Sequence, residues 1–146
     1  FCYDPGPPPP PPDPGCALTQ GYWKTHSEFG PAPYDDTWAK LAQGASTPFF
    51  SSGQTYHEVL WTPPAGGNAY YNLAHQYIAA ELNFLNGADL SAVQSAFAEA
   101  DTLLKNNTPE AIGKLKGKDP LRKQFLSLAE TLDKYNNGKI GPGHCK

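Results

Sequence analysis

Six consecutive prolines, Pro7, Pro8, Pro9, Pro10, Pro11 and Pro12, stand between two Asp-Pro-Gly triplets at the front of this chain (DPGPPPPPPDPG, residues 4–15). Each proline fixes φ near about −65° and has no N–H to donate, so the run fits neither a helix interior nor a central strand. It prescribes a polyproline II rod of roughly 19 Å at ~3.1 Å per residue. Such a segment has too little apolar side chain to build a core of its own. The sequence therefore divides into an extended arm, residues 1–15, and one domain, residues 16–146.

The domain is long enough to bury a single core. With 8 Tyr, 7 Phe and 3 Trp, the whole chain is rich in amphipathic contact groups. A net charge of −3, with no lysine or arginine block, leaves no electrostatic footprint for nucleic acid or an anionic membrane. No run approaches the ~18 apolar residues of a membrane span. The chain starts at Phe1 and has no methionine, which reads as an exported protein whose leader has been removed.

Three cysteines, Cys2, Cys16 and Cys145, fit an oxidising compartment better than a metal or catalytic role. They allow one intrachain disulfide and one leftover, in three pairings. Bridged Cα atoms must lie within about 7 Å, so the rod between Cys2 and Cys16 places that pairing last. Cys16 with Cys145 is preferred, because it ties the start of the body to its far end. Cys2 is then available for an intermolecular bond, flanked by Phe1 and Tyr3 as anchors.

Along the body, Ala17 to His26 reads as a short helix or turn. Asp35 or Asp36 is placed to cap a helix over TWAKLAQG that stops at Gly44. The stretch TPFFSSGQTYHEVLWTPP is open between a hairpin turning at Ser51 to Gly53 and a short helix near Tyr56 to Trp61. Asn68 to Asn86 is the clearest helix, with Tyr71, Ile78, Leu82 and Leu85 at helical spacing and Gly87 as its stop. Asp89 caps a helix striped by Leu90, Val93, Phe97, Ala100 and Leu104; Thr108-Pro109 and Asp119-Pro120 start two more, the last buried through Leu121, Phe125, Leu128, Leu132 and Tyr135. The expected architecture is all-α, an irregular helical bundle carrying a polyproline arm.

Catalytic motifs are sparse. HEVLW at His57 has Trp61 where a zinc-protease helix needs its second histidine. His26, His75 and His144 read first as histidines bonded to neighbours. No Gly-x-Ser-x-Gly, phosphate-binding glycine loop or Cys-x-x-Cys-His occurs, so no catalytic residue, metal or cofactor is assigned. On the long helix, Asn72, Gln76 and Asn83 form a polar stripe beside Ala79 and Ala80, read mainly as internal hydrogen bonding and secondarily as an approach for a sugar ring. Asn106-Asn107-Thr108 matches a glycan acceptor.

The stretches CALTQGYWKTH (Cys16 to His26) and PPAGGNAYYNLAHQYIAAELNFLNGA (Pro63 to Ala88) resemble a family of secreted bacterial surface domains. That family has a Cys-x-Leu-Thr-Gln-Gly-Tyr-Trp-Lys-x-His start and an Ala-His-Gln-x-Ile-Ala-Ala-x-Leu-Asn helix. Its signature falls on Cys16, Gln20, Gly21, Tyr22, Trp23, Lys24, His26, His75, Gln76, Ala79, Ala80 and Asn83. Thr25 departs from the family's usual Asn. The resemblance implies export and an extracellular, often cell-surface setting, and packing of the Trp23–His26 segment on the His75–Gln76 helix.

The leading functional expectation is a structural subunit of a homopolymeric extracellular filament or surface assembly. Its arm is expected to lie in an aromatic groove of the adjacent copy, lined by Trp23, Trp38, Trp61 and tyrosines, with Cys2 available to lock the joint. The alternative is a monomeric secreted carbohydrate-binding or adhesion module with glycan partners. An enzyme ranks third.

Overall fold

A computed structural model describes residues 15–64 and 67–145. The expected assembly residues Phe1, Cys2, Tyr3 and Pro7 to Pro12 lie outside the described residues. The body is all-α: α1 (Gln20–Thr25), α2 (Tyr56–Trp61), α3 (Ala69–Leu85), α4 (Gln94–Asn106), α5 (Pro109–Gly113) and α6 (Pro120–Asn136). Among the described residues, extended pairing is limited to two isolated bridges, Ala17 with His144 and Pro48 with Thr55. No helix there is long and apolar enough to cross a membrane.

Local chemistry sets the helix starts. Asn68 and Asp119 cap α3 and α6 through their side-chain oxygens, and Thr108 caps α5. Pro109 and Pro120 occupy first-turn positions, where a missing N–H costs nothing. In the open segment 47–64 both alternatives form. Phe49 N–H donates to the Gln54 carbonyl, closing a small turn, and Thr55 with Glu58 makes a capping box that starts α2.

Two local expectations are corrected. The helix over TWAKLAQG is only a 3₁₀ turn, Asp36–Lys40, which ends at an extended Leu41 rather than at Gly44. The Glu28 carboxylate reaches across to accept from Ala45 N–H and so holds the 44–46 backbone in a separate 3₁₀ turn. Asp89 does not cap α4: its carboxylate accepts from Ser91 N–H ahead of a 3₁₀ turn, Ser91–Val93, whose cap position is Leu90, and α4 itself starts only at Gln94.

α3 is the central element, packed against α1, α2, α4, α5 and, most extensively, α6. Its buried face is wider than the Tyr71–Ile78–Leu82–Leu85 stripe: Tyr70, Leu73, Ala74, Tyr77, Ile78, Ala79, Ala80, Leu82 and Asn83 are buried, while Tyr71 and Leu85 are only half-buried. A helix covered on several sides shows little periodicity, because most positions face protein. Ala79 and Ala80 are spent on this close packing rather than on admitting a ligand.

The two ends of the body meet. Cys16 and Cys145 are disulfide-bonded, Cα atoms 4.8 Å apart, closing 129 residues of sequence separation. Ala17 N–H donates to the Gly143 carbonyl, and Cys145 N–H donates back to Ala17. Gly15, φ +76°, lies so close to the turn after α3 that a Cβ there would come 2.5 Å from the Gly87 carbonyl oxygen. Gly15, where the described residues begin, therefore lies beside the C-terminal end of α3.

Candidate functional site

Most signature residues build the α1–α3 junction. Trp23 is fully buried; its indole N–H donates to Asn83 Oδ1 at 3.1 Å, and its carbonyl accepts the Trp38 indole N–H at 3.2 Å. Tyr22 stacks on His26, ring centroids 4.0 Å apart, and its hydroxyl donates to Asp35 at 2.7 Å. Burial, reinforced by the Asp35 carboxylate, pushes the Tyr22 phenol up to about 12. Burial works against Asp35 ionising, but the Thr37 amide and the Tyr22 hydroxyl outweigh it and hold that carboxyl below its ordinary value. His26 Nδ1 donates to the Pro33 carbonyl at 2.8 Å. Together Tyr22 and His26 tie down the Pro- and Gly-rich loop that follows α1.

The expected groove lining is thereby corrected. Trp23 and Trp38 are both 0 % exposed, their indole N–H groups are satisfied internally, and neither can touch a partner. Asn83 is likewise buried and fully engaged: it accepts from Leu18 N–H and Trp23, and donates to the Leu18 carbonyl and to Asn136. Trp61 is different. It is 42 % exposed at the end of α2.

Around Trp61 runs a strip of rings. His57, one helical turn earlier, lies 6.1 Å from it by centroid, and Phe29, 55 % exposed, lies 4.9 Å from His57. Lys24 Nζ stands 4.3 Å above the Trp61 ring, a cation–π contact supplied by α1. His57 Nδ1 is buried with no hydrogen-bond partner. The strip thus combines partly exposed rings with the Lys24 ammonium lying over one of them.

One turn before Lys24, Gln20 borders a cleft of about 450 Å³ whose other walls are Pro64, Asn72, His75 and Gln76 on one side and Leu126, Ala129, Glu130 and Asp133 of α6 on the other. His75 Nε2 donates to the Val59 carbonyl at 2.8 Å, which locks α2 onto α3. Burial holds this imidazole below its ordinary value, so it is neutral at pH 7. Gln76 Oε1 accepts from Asn136 Nδ2 at 2.9 Å. Asn72 Oδ1 is buried without any partner. Among the described residues, no three His, Cys, Asp or Glu side chains group as a metal site requires.

Gln20, His75 and Gln76 thus come together at the cleft, while Trp61 and Lys24 meet at the strip. Phe29, His57, Glu130 and Asp133 were missed as surface partners by sequence reasoning. Phe29 lies in an aperiodic loop, and the α6 carboxylates sit on what reads as an ordinary solvated helix face. Compared with known protein families, curated proteins and solved structures, the chain matches none.

Proposed function

We propose that this chain is a structural subunit of a homopolymeric extracellular filament or cell-surface assembly, in which the proline arm of one copy lies along the Phe29–His57–Trp61 strip of the next. The observation that carries the reading is the chemical match between arm and strip. A proline run offers flat apolar rings and carbonyl acceptors but no N–H. The strip offers the exposed rings of Phe29 and Trp61, with the Lys24 ammonium 4.3 Å over the Trp61 ring as a donor, and aromatic-lined surfaces of this kind dock polyproline segments elsewhere. A pre-stiffened rod also loses little conformational entropy on docking.

Placement supports a polymer over a closed pair. Gly15, the last residue of the arm, lies beside Gly87, whereas α2 with its strip is tied to α3 at His75, about 18 Å away along the helix axis at ~1.5 Å per residue. Two different surfaces in contact make a heterologous interface, which propagates unless its rotation happens to close. The Cys16–Cys145 disulfide suits an oxidising, extracellular setting, and Cys2 is then left to bond a neighbouring copy. Negative-stain microscopy and non-reducing electrophoresis of the whole chain test this: fibres and covalent ladders are expected, and a uniform monomer would reject it in favour of an adhesion or carbohydrate-binding module.

A further inference from the structure

We infer that the cleft between α3 and α6 is a second binding site, distinct from the strip, and that it takes a neutral or N-acetylated oligosaccharide. Its volume, about 450 Å³, lies within the roughly 300–1,000 Å³ typical of small-molecule sites. Its walls are unlike those of the strip. Gln20, Asn72 and Gln76 contribute three side-chain amides, and Glu130 and Asp133 contribute carboxylates, around the small apolar floor of Ala129 and Leu126.

The polar inventory selects the ligand. Asn72 Oδ1 is buried with no donor, an unfavourable state that a ligand donor would relieve once the amide turns outward. Gln76 Oε1 is already taken by Asn136, leaving its NH₂ group to face a ligand acceptor. The site therefore asks for donors and acceptors together. A hydroxyl supplies both, and an N-acetyl group supplies one of each; a proline run supplies acceptors only and leaves Asn72 unsatisfied. The lining carries two carboxylates and no lysine or arginine, Lys134 beside it being paired with Glu130 at 3.7 Å, which disfavours an anionic polysaccharide.

This site stands whether or not copies join through their arms. The test is calorimetric titration of the full chain with chitohexaose, maltohexaose and polygalacturonate, with thermal melting as a fold control. Chitohexaose or maltohexaose is expected to bind and polygalacturonate not to. Asn72→Leu and Glu130→Lys are each expected to weaken binding about tenfold, and Trp61→Ala to leave it unchanged. Glu130 is exposed, so its variant keeps the test valid if Asn72→Leu melts early. Absence of heat with both neutral sugars, equal binding of polygalacturonate, or a loss that follows Trp61→Ala instead of the cleft variants overturns the inference.

Discussion

Trp23 and Asn83 are sixty residues apart in sequence, and the indole N–H of one donates to the amide oxygen of the other at 3.1 Å in the interior of the domain. That bond belongs to a network. Asn83 Nδ2 donates to Asn136 Oδ1 at 2.9 Å, and Asn136 Nδ2 donates to both the carbonyl and the side-chain oxygen of Gln76. One amide thus joins the segment before α1, the C-terminal part of α3 and the end of α6, with each of its polar atoms used. Buried networks of this kind specify a unique packing because no member tolerates loss of its partners.

Replacing Asn83 by alanine strands the Leu18 backbone groups, the Trp23 indole and Asn136 in a buried site. The expected cost is about 3–5 kcal/mol, read as a fall in the urea midpoint at unchanged slope. A cost under about 1 kcal/mol, within the range of ordinary surface substitutions, would show the network to be dispensable.

The disulfide closes a loop of 129 residues of separation, and in the chain-entropy view its loss costs about 5 kcal/mol. Cys16→Ser with Cys145→Ser is expected to lower the melting temperature steeply and to free the Ala17 and His144 segments, seen as loss of amide protection at Ala17 and Cys145. An unchanged melting temperature would mean that the two ends are held by other contacts.

Glu81 supplies a pH dependence. It accepts from the Tyr56 hydroxyl of α2 at 2.7 Å, while Tyr77, on the same helix, donates to Asp101 of α4 at 2.8 Å. Burial raises the Glu81 carboxyl above its ordinary 4.5, Asp101 adds to this, and the Tyr56 hydrogen bond opposes it. The fold then binds a proton more tightly than the unfolded chain does. The corresponding stability is fully present below the ordinary value and is lost as pH rises through the raised one. Asp35 acts oppositely: its lowered value gives stability that disappears only as pH falls below the ordinary carboxylate range. Glu81→Gln keeps an acceptor for Tyr56 and is expected to flatten the alkaline side of the stability profile in urea titrations between about pH 4 and 8. A profile identical to that of the native chain would assign the dependence elsewhere.

Much of the fold is legible from sequence because its signals are local. The Asp119-Pro120 start of α6 and its Leu121–Phe125–Leu128–Leu132–Tyr135 stripe lie on one turn-to-turn pattern; the last four are buried and Leu121, in the first turn, is half-buried. Of the three pairings open to the cysteines, Cys16–Cys145 is preferred from sequence because it ties the start of the body to its far end, and that is the disulfide formed. What stayed hidden is set by long-range contacts. Glu28 reaching Ala45 replaces a helix with two 3₁₀ turns, and nothing near residue 44 announces it. Trp23, Trp38 and Trp61 look alike in sequence. Only the Asn83 acceptor and the Trp23 carbonyl explain why two of them are interior and the third faces solvent.

Trp61→Ala separates assembly from folding. The ring is 42 % exposed, so the substitution is expected to cost no more than about 1 kcal/mol of stability while shortening or abolishing polymers by electron microscopy. Trp23→Ala, by contrast, is expected to cost about 3–5 kcal/mol through a large core cavity. Native-length polymers from Trp61→Ala would remove the strip from the interface.

The most direct measurement compares the whole chain with one lacking residues 1–14, by sedimentation under oxidising conditions alongside far-ultraviolet circular dichroism. A coreless proline segment that serves only a neighbour predicts polymers from the whole chain and a monomer of unchanged helicity from the shortened one. Polymers of equal size from both would contradict it.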